Sequence, residues 1–113
     1  MRVPVLVPLN SHCIPVRYLK ELEDPQDFGD FCPEEKIIRI SKTRNKSAHQ
    51  VWLTFWHELG HAALMLSGWG RVLTEEQEEA VVAALEFAWG PLMQLNPAAP
   101  GVRWREVVFP FES

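Results

Sequence analysis

His57, Glu58 and His61 are the residues of this chain best placed to do chemistry. They stand as His57-Glu58-Leu59-Gly60-His61 within residues 51–66, a run that is otherwise almost wholly apolar. On a helix, residues four apart lie one turn apart on the same face. Both imidazoles then reach one metal ion, and Glu58 reaches a water bound to that metal. The competing reading is a buried amphipathic helix with two incidental histidines. It leaves the charge unexplained, because an unpaired carboxylate or imidazolium in an apolar site is costly or shifts its pKa. A cation that receives all three groups explains it.

A catalytic zinc site offers three protein ligands and keeps one position for water, so one ligand remains to be found. His49 lies in the first turn of the same helix and reads as a surface residue, and His12 beside Cys13 is a weak pair. The acidic stretch Glu75, Glu76, Glu78, Glu79 is the better source. With Glu78 set at zero on a wheel of about 100° per residue, Val82 and Trp89 fall within about 40° of it. Glu78 thus sits on the apolar stripe and is the preferred ligand. Glu79 lies nearer the margin beside Glu86 and is the second choice. Glu75 and Glu76 belong to the capping turn, where carboxylates favour the positive end of the helix dipole without any metal.

The elements that position these groups can be read from either side. Residues 3–9 alternate apolar side chains with Pro4 and Pro8, which predicts an edge strand or a poor one, since proline cannot donate to a ladder. Residues 13–23 are ambiguous between helix and strand, and end before Pro25. Two β-rich runs, 28–31 and 37–40, flank a turn containing Pro33 and predict a hairpin. Ser47 with Gln50 is a capping box that opens the His57 helix, and Gly68 and Gly70 stop it near Leu66. Thr74 with Gln77 opens a second helix with Val81, Val82, Leu85, Ala88, Trp89 and Leu92 as its apolar stripe. Gly90-Pro91 predicts a kink in it, and residues 96–101 its end. The tail, residues 102–111, reads as extended, adding a strand or packing on the core.

The chain has 113 residues, 47% hydrophobic and 23% charged, with a net charge of −4. That is the size of one globular domain spanning residues 1–113, and no basic block calls for nucleic acid. Arg39, Lys42, Arg44 and Lys46 read as a solvated strand end and loop. No run approaches the ~18 apolar residues of a membrane span. The first nine residues are too short and proline-punctuated for a signal peptide. Cys13 and Cys32 form no disulfide framework and read as small buried residues. A reduced, cytoplasmic protein is expected.

The sequence also resembles a family. His57-Glu58-Leu59-Gly60-His61, followed by Leu73-Thr74-Glu75-Glu76-Gln77-Glu78-Glu79-Ala80-Val81-Val82-Ala83-Ala84-Leu85, looks like the small His-Glu-x-x-His zinc metallopeptidase-like proteins of phages and prophages. These are distant relatives of the ImmA/IrrE and SprT-like groups. The resemblance runs from Phe28-Gly29 to Asn96-Pro97, roughly two thirds of the chain. It implies an α+β, zincin-like domain in which a short β-hairpin or sheet packs against the motif helix and a glutamate-bearing helix. It also implies zinc held by His57, His61 and a glutamate of the second helix. One departure is that Val81 and Val82 follow Glu78, where the ImmA-type pattern has a small residue and then Asn or Asp. The group that would orient a ligand from outside is therefore missing.

Two functions compete on this reading. In the first, Glu58 takes a proton from zinc-bound water and passes it to a leaving amine, and the substrate is a protein or peptide held along the hairpin. In the second, the metal is a structural staple and a tryptophan-rich surface of Trp52, Trp69 and Trp104 binds a partner. A structural site has no use for Glu58 and would want a fourth protein ligand, which the sequence does not offer. Tyr18, the only tyrosine, has no readable place as an oxyanion donor.

Overall fold

The computed structural model describes residues 1–94 and 101–111. Its architecture is α+β, a five-stranded mixed sheet with two helices. In chain order the elements are β1 (Arg2–Leu9), β2 (His12–Leu19), β3 (Gly29–Cys32), β4 (Ile37–Ser41), α1 (Ala48–Leu66), α2 (Glu75–Gln94) and β5 (Arg103–Glu106). A short 3-10 turn, Trp69–Arg71, joins the helices. The sheet order is β3-β4-β2-β1-β5, which leaves β3 at one edge. Among the described residues only the β2–β4 pair is parallel. No helix among the described residues is long and apolar enough to cross a membrane.

Period-two alternation settles the segment that could have been helix or strand. Ile14, Val16 and Tyr18 of β2 are buried, while Cys13, Arg17 and Leu19 between them are exposed, as a half-buried strand requires. These side chains join Val3, Val7, Ile38 and Ile40 in one cluster, which Val51 and Phe55 of α1 close from above. The metal motif is therefore built two residues beyond the point where its helix is anchored to the sheet.

β1 corrects the expectation of an edge strand. It pairs with β2 over Leu6–Leu9 and with β5 over Arg2–Leu6, with a register shift between Pro4 and Leu6. The two ladders occupy different halves of the strand, so neither Pro4 nor Pro8 has to serve two neighbours at full length. The Pro4 carbonyl accepts a bond from the Tyr18 hydroxyl at 2.8 Å. The tail accordingly supplies a true strand, β5, beside β1. The β3–β4 hairpin forms as the sequence predicts, with Phe31 opposite Ile38.

Both capping boxes are present. Ser47 Oγ accepts from the Gln50 N–H at 3.1 Å and Gln50 Oε1 accepts from the Lys46 N–H at 2.9 Å. At α2, Thr74 and Gln77 exchange bonds of 2.9 and 3.2 Å. Gly68 takes φ +90°, the left-handed turn that ends α1. The second helix runs on through Gly90-Pro91 to Gln94, while the stop expected at residues 96–101 falls largely outside the described residues. Of its expected stripe, Val82 is fully buried and Leu85 half-buried, Val81 and Ala88 are exposed, and the side chains of Trp89 and Leu92 lie outside those described.

Two glycines set the distances that matter. A Cβ on Gly60 would stand 3.2 Å from Val82 Cγ1, so α2 packs tightly on α1 between His57 and His61. A Cβ on Gly29 would stand 2.6 Å from Thr54 Cγ2, 3.1 Å from the Arg39 carbonyl and 3.2 Å from Glu58 Cγ. Edge strand β3 thus lies directly over the start of the motif. Gly29→Ala is expected to cost about 1–3 kcal/mol through overpacking. The thermal midpoint should fall by roughly 4 °C or more. An unchanged melt would mean that the strand does not pack this closely on α1.

Candidate metal centre

Val82 explains how the acidic residues reach the histidines. Glu78, Glu79, Leu85 and Glu86 stand four and three residues before it and three and four after it, so they share its face. That face meets α1 at Gly60, and it delivers three carboxylates to two imidazoles. His57 Nε2 and His61 Nε2 are 3.2 Å apart. Glu79 lies beside both, with Oε1 3.1 Å from His61 Nε2 and Oε2 3.5 Å from His57 Nε2. The ligand atoms of His57, His61 and Glu79 all lie within 4.8 Å of one another, and this group could hold a metal ion.

The other ring nitrogens are also engaged. His61 Nδ1 is 2.6 Å from Glu78 Oε2, and His57 Nδ1 is 2.9 Å from Glu86 Oε1. An ionised carboxylate only accepts, so each Nδ1 carries the proton and donates it. In the neutral imidazoles both Nε2 lone pairs then face the same point as the Glu79 oxygens. Four electron-pair donors with no hydrogen among them repel one another unless a cation or protons lie between them. The donor set, two imidazoles and one carboxylate, is one that zinc accepts, with a position left for water.

This geometry revises the order of the candidate ligands. Glu78, preferred from the helical wheel, lies against His61 Nδ1, and Glu79 lies beside both Nε2 nitrogens. The wheel counted burial, and Glu78 is indeed the less exposed of the two, its side chain 21% accessible against 53% for Glu79. Burial did not distinguish a ligand from the group that orients one. Where an orienting group looked missing beside Val81 and Val82, Glu78 lies against His61 Nδ1 and Glu86 against His57 Nδ1. Carboxylates placed so fix the tautomer and ring direction of a metal-binding histidine. Glu86 was not assigned a role from the sequence. Its signal was present, since it is four residues beyond Val82 and seven beyond Glu79 on one face.

Glu58 differs from the other carboxylates. It is 8% exposed and forms no hydrogen bond or ion pair among the described residues. Burial pushes its carboxyl from 4.5 up to about 7; His61 pulls it back, and Asp30, Glu79 and Asp27 add to the rise. A cation at the Nε2 nitrogens would pull it down again. Without metal, Glu58 binds its proton more tightly in the folded chain than in the unfolded one. Its contribution to stability is full below 4.5 and is lost as pH rises through about 7, a difference of roughly 3 kcal/mol. Metal-stripped protein is therefore expected to melt lower at about pH 8 than at about pH 5, and Glu58→Gln should show a shallower decline. Thermal melts in chelator across that range check this, and parallel curves for the two proteins would refute it.

Searches against protein-family models, curated proteins and solved structures find no match.

The remaining candidates lie elsewhere. His49 is exposed on the first turn of α1, and His12 begins β2. The Tyr18 hydroxyl is committed to Pro4, and burial pushes its pKa well up, so it offers no oxyanion donor. Cys13 is exposed and Cys32 half-buried, both as free thiols rather than core residues. Arg39 is not simply solvated: it makes two bonds to Asp30, of 2.7 and 2.8 Å. Arg44 stacks 5.0 Å from the Phe28 ring. Of the three tryptophans, Trp52 and Trp104 pack on each other at 5.8 Å, and Trp69 is 58% exposed.

Two clefts of about 380 and 390 Å³ open on the site from either side of Gly29, and both reach His57 and Glu58. Asn45 supports the strand between them. Its side-chain amide donates to the carbonyls of Phe28 and Ser41 at 3.0 and 2.6 Å, and its oxygen accepts from Thr54 at 2.6 Å. This buried network ties β3 to α1 one turn before His57.

Proposed function

We propose that the chain is a zinc-dependent metallopeptidase with a zincin-like site. The observation that carries this reading is the convergence of His57 Nε2, His61 Nε2 and the Glu79 carboxylate on one point. Beside them lies Glu58, buried, without a partner among the described residues and open to a groove. His57, His61 and Glu79 would hold the metal, with Glu86 and Glu78 fixing the two rings. Bound zinc would lower the pKa of its water toward ~7 and polarise a scissile carbonyl. Glu58 accepts a proton from the attacking water and returns it to the leaving amine. Its isolation from other donors leaves it free for that exchange. The free outer edge of β3 holds an extended peptide by strand pairing, with its side chains reaching the clefts beside Gly29.

The test joins metal content to activity. Purified protein is expected to carry about one zinc per chain. It should hydrolyse unfolded protein or peptide substrates, lose that activity to a chelator and regain it with added zinc. Zinc at full occupancy without hydrolysis would favour a structural staple, and a protein with no zinc after metal-replete expression would remove both readings.

A further inference from the structure

The two clefts that meet at Glu58 differ in character: the first is mainly apolar although Glu86 borders it, and the second is mainly polar although Phe31, Pro33 and Met65 border it. One is walled by Phe28 and Leu53, 36% and 37% exposed. The other is faced by Asp27, Asp30 and Glu75. Asp30 is neutralised by Arg39 at 2.7 Å. Asp27 and Glu75 form no ion pair among the described residues, so they leave that arm anionic even when a dication offsets Glu78 and Glu79. Glu58, more than nine-tenths buried and without a partner among the described residues, lines both arms. The group that would move the proton therefore sits at the junction between an apolar wall and an acidic one.

The geometry points to peptides that carry an apolar side chain on one side of the cleaved bond and Lys or Arg on the other. This inference rests on the peptidase reading and names its substrate class. An apolar side chain covers Phe28 and Leu53, which otherwise face water. A basic side chain meets Asp27 and Glu75, and their exposure makes the preference sensitive to salt. An acidic side chain in the same arm meets like charge. Asp27 and Glu75 are thus the residues that determine charge specificity.

The test separates selection from cutting. Zinc-loaded Glu58→Gln protein is titrated with end-blocked, fluorescein-labelled hexapeptides whose central pairs are Lys-Leu, Leu-Lys, Glu-Leu, Leu-Glu and Leu-Leu. In at least one order, the Lys peptide is expected to bind about tenfold tighter than its Glu counterpart at low salt. Asp27→Asn with Glu75→Gln should erase most of that ratio and leave the Leu-Leu peptide unchanged. Equal binding of Lys and Glu peptides, tighter binding of Glu, or no binding of any peptide would overturn the proposal. The ratio of kcat/KM for the same peptides on the wild-type protein is a second readout that does not depend on the variant folding. Cleavage without charge preference overturns this specificity and keeps the peptidase reading. Selective binding without any cleavage does the reverse.

Discussion

Glu79→Ala is expected to lower zinc affinity by more than the ~10–100-fold that loss of an outer carboxylate costs. Among the described residues Glu79 is the only carboxylate within reach of both Nε2 nitrogens, at 3.1 and 3.5 Å, so at the proposed site its removal would leave two ligands of three. Glu78→Ala and Glu86→Ala should each fall within that ~10–100-fold range, because each frees one imidazole to turn without removing a donor. Glu75→Ala, in the first turn of α2, should leave affinity unchanged. Competition against a chromophoric chelator measures all four. The pattern is diagnostic because burial alone predicts another order: it ranks Glu78 above Glu79. A larger loss at Glu78 than at Glu79 would restore Glu78 as the ligand and require the His61 ring to present Nδ1 to the metal.

What could be read from the chain and what could not divide along physical lines. Local rules held where the signal was local. Both capping boxes, the left-handed Gly68 and the hairpin with Phe31 opposite Ile38 depend on a few neighbouring residues. The failures involve partners distant in sequence. Pro4 and Pro8 argued for an edge, but β5, about a hundred residues later, pairs with half of β1 and leaves the other half to β2. Which of Glu78 and Glu79 faces the Nε2 nitrogens depends on how α2 is rotated against α1, where Val82 sits against Gly60. The wheel centred on Glu78 rested on Val82 and Trp89, and it ranked the carboxylates by nearness to the stripe rather than by the nitrogen each one meets. Centring it on Val82 places Glu78, Glu79 and Glu86 on one face, and Glu86 becomes legible as a partner for His57.

Glu58→Gln is expected to abolish hydrolysis while leaving zinc content and fold nearly intact. The substitution keeps the side chain's shape in a site that is 8% exposed, and swaps of equal volume disturb packing little. Glu58 belongs to no hydrogen bond or ion pair among the described residues, so the amide strands no partner. In the metal-free protein the change should even stabilise the fold at alkaline pH, because burial raises the carboxyl toward about 7 and its ionised form is the costly one. The amide cannot take a proton from water, and loss of a positioned general base typically costs about 10²–10⁴-fold in rate. Three proteins measured together decide the role: wild type, Glu58→Gln and Glu79→Ala, each assayed for zinc and for peptide cleavage. Zinc retained and cleavage lost in the Gln variant, with both lost in the Ala variant, separates proton transfer from metal binding. Zinc lost from the Gln variant would make Glu58 a ligand. Undiminished cleavage by a zinc-loaded Gln variant would exclude Glu58 as the base and place proton transfer on another group facing the groove.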